Sequence, residues 1–131
     1  MSFGKREYDR QKPDIEFPDH EAPADLVVED IIVGDGPEAT PGSTVSAHYV
    51  GVAFSTGEEF DASWNRGAPL DFRLGVGQVI AGWDEGIAGM KVGGRRRLEI
   101  PAAKAYGDRG AGGAIAPGES LIFVVDLVGV R

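Results

Sequence analysis

Val79-Ile80-Ala81-Gly82-Trp83-Asp84-Glu85-Gly86-Ile87 is the stretch in which an extended pattern gives way to a helical one. Ile80, Trp83, Ile87 and Met90 follow at intervals of three, four and three residues, which places them on one face of a short helix. Asp84 and Glu85 fall in its first turn, where the helix macrodipole favours negative charge. Almost everything around this segment reads as β-strand, so the economical architecture is α+β, a sheet wrapped over one short helix. Trp83 is the bulkiest side chain in the stripe, and it is either core or the floor of a pocket.

Outward from the helix, Leu70-Asp71-Phe72-Arg73-Leu74 alternates with its apolar residues inward, and Gly75-Val76-Gly77 turns the chain into the helix. Val45, Ala47 and Tyr49 share one side of the strand Thr44 to Val52, whereas Ser46, His48 and Val50 share the other. Leu26 to Val33 is strand-rich and ends in the turn Gly34-Asp35-Gly36-Pro37. Leu121 to Val130 is apolar at nearly every position, as expected of a central strand covered on both faces. The segment 102–118 is the least regular, and its many glycines suit an adaptable lid or binding loop. Arg95-Arg96-Arg97 lies on an alternating strand, so the three cannot face one way, and a solvated strand edge is expected there.

The 131 residues, 42% of them hydrophobic, are enough for one domain with one core. Residues 1–25 differ in composition from the remainder of the chain. Lys5, Arg6, Arg10 and Lys12 alternate with seven acids, and Pro13, Pro18 and Pro23 break any periodicity. This segment is expected to form a flexible arm preceding a domain over 26–131, with Phe3, Tyr8 and Phe17 available to dock on the domain or on a second copy. A net charge of -8 argues against general nucleic-acid or anionic-membrane binding. The absence of cysteine fits a reducing compartment, and no window approaches a membrane span or a signal peptide, so the expectation is a soluble, cytoplasmic, monomeric protein.

Familiar catalytic chemistries find no support. The two histidines, His20 in the arm and His48 pointing away from the face of Tyr49, build neither a nucleophile triad nor a metal site, and no cofactor or metal is expected. Neither the glycine loop nor Gly75-Val76-Gly77 completes a phosphate or dinucleotide motif. What remains is a set of aromatics, Tyr49, Phe60, Phe72, Trp83, Tyr106 and Phe123, able to converge on one side of the helix. Taken alone they read as ordinary core; against that, Asp61 after Phe60 and Tyr106 opening a glycine loop would put polar tips at an apolar cavity, the description of a binding pocket.

Val45-Ser46-Ala47-His48-Tyr49-Val50-Gly51, Glu59-Phe60-Asp61-Ala62-Ser63, Val79-Ile80-Ala81-Gly82-Trp83-Asp84-Glu85-Gly86, Met90-Lys91-Val92-Gly93-Gly94, Ile100-Pro101, Ala105-Tyr106-Gly107 and Leu121-Ile122-Phe123 resemble, in order, the successive signatures of FKBP-type peptidyl-prolyl cis-trans isomerases. The resemblance runs from about Leu26 to Arg131. It implies an antiparallel half-barrel sheet around one short helix, with a pocket between them. It further implies that Trp83 is the floor beneath a proline ring and that Tyr49, Phe60, Phe72 and Phe123 are walls, with Val79, Ile80 and Ile115 as apolar rim. Ile80 would offer its backbone N–H and Tyr106 its hydroxyl to substrate carbonyls, while Asp61, held by Tyr49 and Arg66, would sit beside the twisting bond.

The implied partners are proline-containing peptides, folding chains and macrolides of the tacrolimus and rapamycin type. The alternative is a module that binds proline segments or macrolides with incidental turnover. Leu70 stands where well-known members carry an aromatic, and Ala111 and Ala114 shrink the lid loop, so a looser rim and weaker macrolide contact are expected. No chaperone insert or histidine-rich tail accompanies the motifs, which argues against the metal-binding branch of the family.

Overall fold

The computed structural model describes residues 10–131. The expected docking of Phe3 and Tyr8 lies outside the described residues. Six strands, β1 Val27–Ile32, β2 Thr44–Ala53, β3 Glu59–Ala62, β4 Leu70–Arg73, β5 Arg95–Ile100 and β6 Leu121–Val130, accompany one helix, α1 Ala81–Gly86. The strands form one antiparallel sheet in the order β1-β5-β6-β2-β3, with β4 also paired to β2. β4 takes the Thr44–Ala47 half of β2 and β3 takes Val50 to Val52, so two short strands share one edge of a long one.

The helix lies against the inner face of this sheet. It reaches β5 through two glycines spaced by one turn: a Cβ on Gly82 would stand 2.5 Å from Ile100 Cγ2, and one on Gly86 would stand 2.8 Å from Leu98 Cδ2. Such an approach leaves no room for any side chain on that face of the helix. Trp83, Ile87 and Met90 are buried, as the stripe predicts, and they join Val45, Ala47, Tyr49, Phe72, Leu98, Phe123 and Val125 in the main core. Ile80, at the start of the stripe, is only half-buried. Asp84 does more than complement the dipole: its carboxylate accepts the N–H groups of Gly75 at 2.8 Å and Gly77 at 3.0 Å, closing the turn that leads into the helix.

The outer face carries a second, smaller cluster of Val50, Val52, Phe54, Ala62 and Ile122, packed by Ile15 and Trp64. His48 does point away from the main core, yet it is buried here, stacked on Trp64 with ring centroids 4.2 Å apart and bonded through Nδ1 to Ser63 Oγ at 2.8 Å. The arm contributes to this cover. From Arg10 to Asp25 the chain has no helix or strand, but Arg10 donates to the Gly93 carbonyl and to Asp126, Arg95 donates to the Gln11 carbonyl, and His20 bonds Glu99 at 2.9 Å. Residues 10–25 thus run as a strap over this span, held by polar contacts that their low apolar content does not reveal.

The solvated edge expected at Arg95-Arg96-Arg97 is corrected for a related reason. β5 lies between β1 and β6, and the three side chains are only 15%, 13% and 14% exposed. Arg95 and Arg97 serve the outer face, paired with Asp126 and Glu99. Arg96 serves the inner face, where it pairs with Asp30 and donates to the carbonyls of Gly86 and Ala88 at the end of α1, a favourable place for a cation. The segment 102–118 is also more regular than expected, containing 3-10 turns at Ala102–Lys104 and Gly107–Arg109 and a bridge between Ala111 and Ile115.

Gly82→Ala tests the close approach of helix to sheet. The added methyl overpacks Ile100 and is expected to cost about 1–3 kcal/mol, read as a lower urea midpoint with unchanged slope. An unchanged midpoint would show that Ile100 gives way freely.

Candidate active site

Between α1 and the inner face a cavity of about 380 Å³ opens to the surface, lined by Tyr49, Phe60, Asp61, Leu70, Gln78, Val79, Ile80, Trp83, Tyr106 and Phe123. That size suits a small ligand or a few residues of peptide, for which pockets run from about 300 to 1,000 Å³. Trp83 is 4% exposed and meets Tyr49 and Phe123 edge-on, with ring centroids 4.9 and 5.2 Å away. Phe60 meets Phe123 edge-on at 5.5 Å. Gly51 beneath them has no space for a side chain, since a Cβ there would lie 2.6 Å from both Phe123 Cε1 and Phe60 Cζ. Edge-to-face packing fixes each ring against its neighbours, so these walls are built before any ligand arrives.

The polar side of the cavity is as firmly held. Asp61 Oδ2 accepts the Tyr49 hydroxyl at 2.5 Å and Oδ1 accepts Arg66 Nη1 at 2.7 Å, while Arg66 Nη2 donates to the Tyr49 oxygen at 2.7 Å. Burial would raise the Asp61 carboxyl, but the Tyr49 hydroxyl and the Arg66 guanidinium outweigh it and hold the group below the ordinary carboxylate range. Burial, and then the bond to Asp61, push the Tyr49 hydroxyl up, so it stays a donor. Both carboxylate oxygens are engaged, so Asp61 presents a negative charge held in place. Tyr49 is itself pinned, because its backbone N–H donates to Ser63 Oγ at 2.7 Å.

The expected site residues do not all reach the cavity. Arg66 acts from behind Asp61. Phe72 is 6% exposed and lies under the floor, 5.5 Å from Trp83, where a wall was expected. Ile115, expected on the rim, is 4% exposed and belongs to the core, because its pairing with Ala111 folds the loop inward. Leu70 stands at the mouth, 37% exposed. Gln78 lines the cavity unforeseen, its Oε1 accepting the Arg73 N–H at 2.8 Å. Its only sequence signal was a polar residue among turn residues just before the helix.

Donors for a peptide are present too. The Ile80 carbonyl accepts from Trp83 and Asp84, but the Ile80 N–H at the cavity has no acceptor among the described residues. Tyr106, 41% exposed, also lines the cavity. Trp83 Nε1 is buried with no acceptor among the described residues. A cavity with an aromatic floor, a carboxylate held by two bonds and two donors suits binding and distortion of a peptide.

Comparison with known proteins agrees with this arrangement. Residues 36–128 match the family model described as FKBP-type peptidyl-prolyl cis-trans isomerase. The chain is 72% identical over 121 residues to a Streptomyces anulatus protein named FK506-binding protein, covering 92% of this chain and 98% of that one. It is 49% identical over 106 residues to peptidyl-prolyl cis-trans isomerase FPR2 of Saccharomyces cerevisiae, covering 81% of this chain and 76% of that one. The crystal structure of AtFKBP13 superposes with a TM-score of 0.76 at 45% identity, covering 84% of this chain and 96% of that chain. With its half-barrel sheet, its single short helix and the aromatic cavity between them, the chain belongs to the FKBP-type peptidyl-prolyl cis-trans isomerases.

Proposed function

We propose that this isomerase accelerates rotation about X-Pro bonds by holding the proline ring on Trp83 and stabilising the twisted imide inside the aromatic cavity. The observation that carries the reading is the Asp61 carboxylate, fixed by Tyr49 and Arg66 at the wall of a cavity floored by Trp83. An X-Pro bond resists rotation by roughly 18–20 kcal/mol because twisting removes amide resonance. No covalent bond has to break. Leaving water outside favours the twisted form, whose carbonyl depends less on hydrogen bonding than that of the planar form. The Ile80 N–H and the Tyr106 hydroxyl hold the flanking peptide while the ring stays seated, so binding energy is spent on the rotation itself. Asp61 supplies a static charge beside the bond.

The proposal extends to ligands and setting. Macrolides of the tacrolimus and rapamycin type enter the same cavity, a reading supported by the names of the relatives. The open Leu70 corner supports a looser grip than an aromatic would provide. Phe17, 64% exposed before Pro18, is the segment by which one copy presents a proline to another, otherwise monomeric, copy. A cytoplasmic site of action is included, supported by the cysteine-free composition.

Cis/trans exchange of a short Leu-Pro peptide, followed by NMR, is expected to speed up with the protein and to slow again on addition of rapamycin. Trp83→Leu is expected to weaken both macrolide binding and turnover, and Asp61→Val to reduce turnover about tenfold or more while sparing ligand binding. Equal losses from Asp61→Val in both assays would favour a binding module with incidental turnover.

The pH profile provides a separate test. Because the folded Asp61 carboxyl is held low, its contribution to stability and to turnover persists above the ordinary Asp value of about 3.9 and is lost only as pH falls through its lower folded value. Tyr49→Phe removes one donor and is expected to move that acid limb upward. A limb at the same pH in both proteins would show that Tyr49 does not hold Asp61.

A further inference from the structure

We infer that Lys12, on the outer strap, is a positioning residue for the isomerase site, because it clasps both ends of the segment from Glu59 to Asn65, which carries Phe60 and Asp61 and leads directly into Arg66. The inference rests on Asp61 being the fixed charge beside the rotating bond. β3 is only four residues long, and its register against β2 shifts between Gly51 and Val52, where Val52 meets Glu59. The backbone ladder alone restrains this strip poorly. Side chains supply the rest. Lys12 Nζ lies 2.7 Å from Glu59 Oε1 and donates to Asn65 Oδ1 at 3.1 Å, and Asn65 Nδ2 donates to Glu59 Oε2 at 3.0 Å. These three groups close a ring that joins the beginning of β3 to the 3-10 turn Ser63–Arg66.

The same strip carries a second clasp. Asn65 takes part in the first and Arg66, one peptide bond along, makes the bond that fixes Asp61. Glu59 likewise precedes Asp61 by two residues on one strand. Movement of either end of the first clasp is passed to the second through one or two peptide units. Lys12 is in turn well placed to act as an anchor, since the strap is tied down by Arg10 and by the Gln11 carbonyl on one side and by Ile15 on the other.

Charge strengthens the first clasp. The bond from Lys12 is the foremost cause that holds the Glu59 carboxyl below its ordinary range, whereas the Asp61 charge opposes ionisation of Glu59. Without Lys12 the Glu59 carboxyl takes up a proton before Asp61 does, so Asp61 feels the loss of Lys12 through the loosened strip that leads to Arg66 and not through the Glu59 charge. The ion pair is partly exposed, 37% at Lys12 and 35% at Glu59, so the effect is modest. A change of about twofold to fivefold is expected, equivalent to about 0.3–0.7 pH unit in a titration.

The experiment uses the full chain as Lys12→Met and Lys12→Arg. Two quantities are read: the titration of the Asp61 carboxyl carbon by NMR, and kcat and KM for the Leu-Pro peptide. Lys12→Met is expected to raise the Asp61 midpoint and to lower kcat with little change in KM, because the aromatic floor is untouched, and Lys12→Arg is expected to restore both. An Asp61 titration and kcat unaltered in Lys12→Met, or a loss that follows thermal stability alone without movement of the Asp61 signal, would overturn the assignment. The titration needs no turnover, so a wild-type chain that binds proline ligands without catalysing exchange would refute the isomerase mechanism and still leave the clasp open to measurement.

Discussion

The close approach of α1 to β5 is the constraint on which the rest of the structure depends. Gly82 and Gly86 bring the helix backbone against Ile100 and Leu98, and this depth decides where Trp83, between them, can lie. A helix held one side chain further out would lift the indole away from Tyr49, Phe72 and Phe123, opening gaps in a core whose packing tolerates few. The turn before the helix is set by the same element, because the Asp84 carboxylate gathers the Gly75 and Gly77 amides. Ile80 and Gln78 thereby face the cavity. Floor and rim come from one short helix whose position is determined by what its glycines lack.

The periodicity around Trp83 made the helix, its buried stripe and the α+β class legible, since a spacing of three and four residues has one simple physical reading. Alternation likewise separates Tyr49 from His48. The conversion of core aromatics into a cavity was less legible, because a half-exposed ring and a buried ring look alike in a sequence. Phe72 and Ile115 show this: both are apolar and share a core with Trp83, yet neither lines the cavity. Gln78 shows the converse, a polar residue in a turn whose exposure to the cavity depends on how Asp84 closes that turn.

The outer face was the least legible part, because its cover is polar. Asp126 lies there between Arg10 and Arg95, and Glu99 between His20 and Arg97, all brought together by antiparallel register and a strap without secondary structure. Pattern reading treats such residues as solvated, since charged side chains are seldom buried unless paired. Arg97 and Glu99 are neighbours on one strand, but the other pairs are long-range in sequence, so most of the partners that make these burials tolerable are invisible locally. Two arginines of a triplet, Arg95 and Arg97, and a proline-broken arm, each ordinary by itself, close one face of the sheet together.

The chemistry of the site explains why so much of the molecule is devoted to rigidity. A reaction limited by proton transfer can rely on one group of matched acidity, but rotation of an amide leaves no proton to move. Only differences in fit and field between planar and twisted forms can lower the barrier, and those differences vanish if the walls adapt equally to both. The edge-to-face rings, the doubly bonded Asp61 and the glycine beneath Phe60 and Phe123 each remove such adaptability. Asp61 lies on the shortest and least regular pairing of β2, where the sheet itself gives the weakest hold. The bonds from Tyr49 and Arg66, supported by contacts from the far side of the sheet, supply at this edge the stiffness that the ladder supplies elsewhere.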